Sequence, residues 1–347
     1  TTDDNARALI VSALLEELGN TEATDLATRY LAFTWYAFNP ETKRFRNFMD
    51  YQRNWLEESG SDDSHGRALW ALGTVLGRSN TPALHNMAVR IFQQSLLAIL
   101  ETTSPRAWAF ALIGIQEYLQ RFAGDRRAGQ VQEELASRLL VLYQNNRAAG
   151  WNWFENRLTY CNAALSHAML LCGESLSNPG MTEVGLESLR WLADLQRSDT
   201  EGRHFVPIGS NGFYQQGGER ARFDQQPVEA QAMISACLEA HRITGEKSWH
   251  MEARRAFEWF LGRNDLHLPV YDPTTGGCRD GLHSDRPNEN QGAESTLAFL
   301  QSLLELRLAE NSDQPNEHIH NEQFLLGSIS TPQTRTDPDS RQLVVSG

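Results

Sequence analysis

Four segments set acids beside aromatic, amide or basic residues, and each stands just ahead of an apolar run. They are DDSHGR at 62–67, WNWFENRLTY at 151–160, RFDQQPVE at 222–229 and CRDGLHSDRPNENQGAE at 278–294. Two carboxyl groups on either side of a glycosidic bond suffice for its hydrolysis. One protonates the leaving oxygen and the other activates water, about 6.5–9.5 Å away in an inverting enzyme. Glu155 stands among Trp151, Trp153 and Phe154. An acid against desolvating aromatic walls tends to its protonated form, which suits a general acid, and Glu155 is the residue assigned that role. Asp224 precedes Gln225, Gln226 and Pro227. With Pro227 in the first turn of a helix, Gln226 lies nearer the cap, and Asp224 is free to act as base.

Asp62 and Asp63 precede another helix; one caps it, and Asp63, with His65 and Arg67 nearby, can substitute for either catalytic acid. Glu229 reads as a first-turn acid reaching back to backbone N–H groups. Arg279, Asp280, Glu289, Asn290, Gln291 and Glu294 frame the last loop. Amide side chains donate and accept at once, which suits sugar hydroxyls. Tyr160, Asn162, Gln225, Asn290 and Gln291 are expected to hold such hydroxyls. Trp151, Trp153, Phe213, Tyr214 and Tyr271 offer flat apolar faces to sugar rings. His65, His167 and His283 form a competing constellation, the acid and base of an epimerase, although His167 within ALSHAML also reads as a core histidine. No P-loop, GxGxxG, HExxH or GxSxG occurs, and nothing in the chain calls for a metal or organic cofactor.

The elements that must position these residues are helices of two kinds. Those beginning near 64, 105, 159, 227 and 291 are rich in Ala and Gly and apolar on several faces. Those beginning near 82, 125, 181 and 247 carry a single stripe of period about 3.6. Such alternation predicts an all-α fold, an (α/α)6 toroid of inner and outer helices over residues 1–310. The two N-terminal helices supply a sixth hairpin. A short strand is expected at Phe45–Met49 and a small hairpin within 197–224. Irregular spacing and long loops argue against a stack of equal repeats. If the inner helices are parallel, the four segments meet at one end. Residues 311–347, polar and proline-bearing, read as a tail or linker.

The 347 residues carry a net charge of −13. That argues against a phosphate-neutralising nucleic-acid surface. Lys43 and Lys247 are the only lysines and both fall in hydrophilic turns, against Schiff-base chemistry. Cys161, Cys172, Cys237 and Cys278 show no C-x-x-C spacing, which points to a reduced, cytoplasmic setting without a zinc site. No run approaches the roughly 20 apolar residues of a membrane span. The chain starts TTDDN, which leaves an upstream segment open.

The segments DDSHGRALWALG, WNWFENRLTYCNAALSHAMLL, FDQQPVEAQAM and NENQGAESTLAFL resemble the six-hairpin glycosidase superfamily over roughly residues 20–308. More narrowly, they resemble a bacterial domain found beside glycosyltransferases. The resemblance implies the toroid, a glycan or oligosaccharide substrate and a glycosyltransferase as candidate partner. It covers hydrolases, lyases, phosphorylases and epimerases, and transfers no catalytic role to a named residue. The sequence therefore supports an inverting glycoside hydrolase first, then a sugar epimerase, then a non-catalytic glycan-binding domain.

Overall fold

A computed structural model describes residues 1–200 and 202–312. The expected tail lies outside the described residues, apart from positions 311 and 312, which close the last helix. Eleven α-helices are described: α1 Thr2–Glu17, α2 Ala23–Ala37, α3 Asp62–Arg78, α4 Pro82–Ser95, α5 Pro105–Arg121, α6 Arg126–Asn146, α7 Ala163–Ser175, α8 Pro179–Leu195, α9 Pro227–Thr244, α10 Lys247–Glu258 and α11 Ala293–Ser312. Their starts are written in local chemistry. Ser61, Ser104, Asp125 and Asn178 cap α3, α5, α6 and α8 with side-chain oxygens, and α4, α5, α8 and α9 open on proline, whose missing N–H costs nothing there. Gly245, at φ 71°, ends α9 in the left-handed region that glycine enters freely.

The odd-numbered helices form the inner ring. α1, α3, α5, α7, α9 and α11 pack in sequence, and α11 packs back on α1 to close the circle. Every residue of α3 from Ser64 to Leu76 is buried. On α4, by contrast, burial is confined to the stripe Leu84, Ala88, Ile91, Phe92 and Ser95. This difference produces the two sequence patterns: a helix enclosed on all sides cannot afford a polar face, whereas an outer helix needs only one apolar stripe. The N-terminal pair is a hairpin of the ring, with α1 inside and α2 outside. Among the described residues no outer helix follows α11.

Glycines set the closest inner contact. A Cβ placed on Gly73 of α3 would lie 1.9 Å from the carbonyl oxygen of Gly114 of α5, and one on Gly114 would lie 2.4 Å from that of Leu69. Both obstacles are backbone, so no rotamer relieves them. We expect Gly73→Val to lose about 3 kcal/mol, the upper end of overpacking costs. Denaturant titration checks this; an unchanged midpoint would show that the two helices can separate freely.

Local expectations differ in three places. Helix α7 starts at Ala163 rather than near Thr159, because Cys161 takes a positive φ of 47° that no α-helix contains. Phe45–Met49 forms isolated bridges, Phe38 with Phe45 and Met49 with Trp55, and no strand. The small sheet joins two loops: Arg157–Leu158 (β1) pairs antiparallel with Tyr214–Gln215 (β2). Residues 197–224 therefore give a strand to the loop before α7, and of the hairpin expected within them an antiparallel bridge between Arg197 and Phe205 is present.

Candidate active site at the N-terminal mouth of the toroid

The first turns of the inner helices converge. A cavity of about 450 Å³ is lined by Asp3 and Arg7 of α1, Asp63 and Arg67 of α3, Tyr160 before α7, Gln226 and Val228 at the start of α9, and Glu294 of α11, with Phe48 and Phe213 on its walls. Six parallel helix N-termini direct unpaired N–H groups and roughly half a positive charge each toward this end. Acids gathered there are stabilised as a group.

Two of the four lining acids, Asp3 and Glu294, are bound by arginine, while Asp4 turns to Thr1. Asp3 takes Arg7 Nε at 3.2 Å and Arg67 Nε at 2.9 Å. Burial alone would raise its pKa, but the two guanidinium groups outweigh burial and hold the carboxyl below its usual range. Arg7 also reaches Glu294 at 2.6 Å, which joins the first and last inner helices. Arg67 lies 3.9 Å above the Phe110 ring and donates to Cys161 Sγ at 3.3 Å. Burial pushes the Cys161 thiol up to about 11, the reverse of what an activated nucleophile needs.

Asp63 is held differently. Tyr160 donates its hydroxyl to Oδ2 at 2.6 Å and Ser104 donates to Oδ1 at 2.7 Å. Burial first, and the Asp63 charge second, push the Tyr160 phenol upward, so it remains a donor. Asp62 is engaged elsewhere, accepting from Arg44 at 2.8 Å and the Thr103 backbone N–H at 2.9 Å. It does not cap α3; Ser61 does.

The remaining sequence candidates fall into three groups. Glu155 pairs with Arg106 Nη1 at 2.8 Å, and Arg106 also donates to the Tyr160 carbonyl and to Asn162 Oδ1. The carboxyl expected to stand among aromatic walls therefore meets a guanidinium. Trp151 and Trp153 turn into the core against Trp191, and the Trp151 indole N–H donates to the Glu155 carbonyl. They offer no face to a sugar. Tyr214 packs edge-on against Trp151, and Tyr271 stacks on Phe299.

Buried polar groups form the second set. Asn162 gives its backbone N–H and side-chain amide to Glu229, which also accepts from Gln196. Burial raises the Glu229 carboxyl. Glu229 thus ties α9 to α7 and does not serve its own first turn. Gln225 bonds Asp265 and the Trp259 indole. His65 is 0% exposed against Phe45, and burial pushes it down to about 3. It cannot touch a substrate. His167 lines a cavity at the opposite end of the ring. The three histidines are not brought together.

The last loop forms the third set. Asp280 accepts from Asn290 and the Gly292 N–H, and Gln291 bonds Thr275 and Asp272. These amides and acids shape the loop itself. Arg279 sits 3.6 Å from Asp272 and 3.7 Å from Glu289, whose side chain is 81% exposed. Asp224 takes a left-handed φ of 54° and lies 2.6 Å from His283 Nδ1. Both side chains are partly exposed, two residues ahead of the pocket-lining Gln226 and in the loop before α11. A strained non-glycine residue at a site's edge is a common mark of function.

Asp3, Arg7, Arg106, Gln226 and Phe48 were not expected from the sequence. Asp3 and Arg7 carry an i,i+4 pairing signal, and Arg106 is a charge in the first turn of an otherwise apolar helix. No local signal marks Phe48 or Gln226.

No protein-family model matches the sequence, and no curated protein matches it. Solved structures do match. A sugar epimerase from a ruminal bacterium superposes with a TM-score of 0.68 at 11% identity, over 89% of this chain and 87% of that one. Cellobiose 2-epimerase from Spirochaeta thermophila gives 0.65 at 13%, over 90% and 87%. A GH76 α-mannanase from Bacteroides thetaiotaomicron gives 0.62 at 11%, over 90% and 87%. The fold is the (α/α)6 toroid, shared with these two sugar epimerases and the mannanase.

Proposed function

We propose that this chain is a glycan-processing enzyme, an inverting glycoside hydrolase whose principal acid–base group is Asp63 and whose second carboxylate is Asp224. The observation that carries the reading is the contrast at the pocket. Asp3 and Glu294 are each paired with a buried arginine, whereas the side chains that hold Asp63 are both hydroxyls. A carboxyl so held can take up or release a proton without breaking an ion pair. Tyr160 and Ser104 aim it, Arg67 and Gln226 face a sugar's hydroxyls, and Glu155 positions the loop through Arg106. The GH76 α-mannanase among the structural neighbours supports a hydrolase.

The second reading is a sugar epimerase, favoured by the Asp224–His283 pair and by the epimerases among the neighbours. A carboxylate and an imidazole side by side place two proton-transferring groups together, which suits proton exchange at a sugar carbon. Incubation with an oligosaccharide and monosaccharide panel in heavy water, followed by mass analysis, separates the readings. Shortened products with inverted anomeric configuration support the hydrolase, and deuterium at a sugar carbon supports the epimerase. Binding without either product would leave a glycan-binding domain and end the enzymatic reading. A cytoplasmic role beside a glycosyltransferase belongs to the same proposal, and co-purification of a tagged chain from the cytoplasmic fraction tests it.

A further inference from the structure

The opposite end of the ring holds a second cavity, of about 390 Å³, walled by the C-terminal halves of the inner helices. Asp63 and Arg78 bracket α3, so the two cavities lie about 22 Å apart along the axis at 1.5 Å per residue.

Its charge is unbalanced. Glu17, Glu117, Glu174, Glu239 and Glu305 line it against Arg78 and Arg242. Each arginine is already shared by two acids: Arg78 by Glu117 and Glu17, and Arg242 by Glu239 and Glu174. Glu305 is held by Ser235 and Gln301 and, among the described residues, by no ion pair; burial raises its carboxyl, and a cation beside it would favour the charged form. The C-termini of the inner helices add roughly half a negative charge each at this same end.

Two groups keep unused hydrogen-bonding capacity: Glu117, whose Oε1 alone takes Arg78, and His167. Glu117 is 8% exposed, yet its Oε2 accepts no hydrogen bond. His167 makes no hydrogen bond among the described residues. Burial pushes it down to about 4, so at neutral pH it is an uncharged imidazole able to accept a proton donor. Trp70 supplies an aromatic wall, and aromatic faces attract cations. The volume matches a small molecule.

We propose that this cavity is a second binding site, separate from the N-terminal mouth, for a small organic ammonium ion held between Glu305, His167 and Trp70. The ammonium supplies donors that the acids lack and offsets a field that no neutral or anionic ligand would relieve.

Calorimetric titration of the full chain with putrescine and with glucosamine tests this, set against their neutral counterparts 1,4-butanediol and glucose. We expect one or both ammonium compounds to bind, with the tighter one identifying the source. The neutral counterparts and the Glu305→Gln variant should each bind roughly tenfold or more weaker, as befits a lost charge-assisted contact. Asp63→Asn should bind ammonium as the unaltered chain does. Equal binding of neutral counterparts, no binding of either amine, or full binding by a folded Glu305→Gln would overturn the proposal. If that variant does not fold, the neutral counterparts decide on the unaltered chain. Because the readout is binding, the outcome is independent of any turnover at the mouth.

Discussion

On the proposed hydrolase reading, replacing Asp63 with Asn should lower turnover of an accepted glycan by roughly 10²–10⁴-fold, the usual contribution of a positioned acid–base group. The fold should survive. Asp63 is only partly buried and carries no ion pair, α3 is capped by Ser61 and not by Asp63, and an Asn amide still accepts through its oxygen from Tyr160 or Ser104. What disappears is the ability to exchange a proton. Tyr160→Phe should give a smaller loss, because it removes one of two donors that aim the carboxyl and leaves the carboxyl in place. Steady-state rates on a substrate from the panel, with circular dichroism for folding, check both. A folded Asp63→Asn enzyme that retains full activity would remove Asp63 from the chemistry, and the Asp224–His283 pair would then be the group to test.

The second large effect is on acid stability. His65 is buried and His167 half-buried, and desolvation pushes them down to about 3 and about 4 from 6.5. Above pH 6.5 each is neutral whether the chain is folded or unfolded, and neither contributes a pH dependence. Below it, the unfolded chain binds protons that the folded chain refuses. Stability therefore falls with pH, by about 1.4 kcal/mol per unit for each histidine, until the folded values are reached. From pH 6.5 to 5 the loss is about 2 kcal/mol each. Burial raises Glu229 and Glu305; they take protons first in the folded state and work in the opposite direction. A difference measurement isolates the histidine. Urea titrations at pH 7 and pH 5 should show His65→Leu gaining about 2 kcal/mol on the unaltered chain as pH drops. Parallel pH dependences for the two proteins would mean that His65 is charged, or reached by water, in the folded state.

The amino-acid sequence by itself determined the helices, their order and their layer. These are local properties: a run such as ALWALG in α3 has no polar face to give to water, and the Leu84–Ile91 stripe of α4 has one apolar face to hide. Parallel inner helices then brought Asp63, Arg67, Tyr160, Gln226 and Glu294 to a common cavity, as the shared position of the four segments ahead of apolar runs implied. Which side chains in those segments face the cavity was decided only by tertiary structure. Glu155 looked free because its partner, Arg106, stands 49 positions earlier. Trp151 and Trp153 looked like sugar platforms because Trp191, which draws them inward, is on α8, the second helix after them. His65 and His167 share the ring with the acids but lie in the core and at the far end. In a loop no periodicity ties a residue to a face, so its direction is set by the ion pairs and ring contacts it finds across the chain. Such contacts leave no mark within the loop's own few residues.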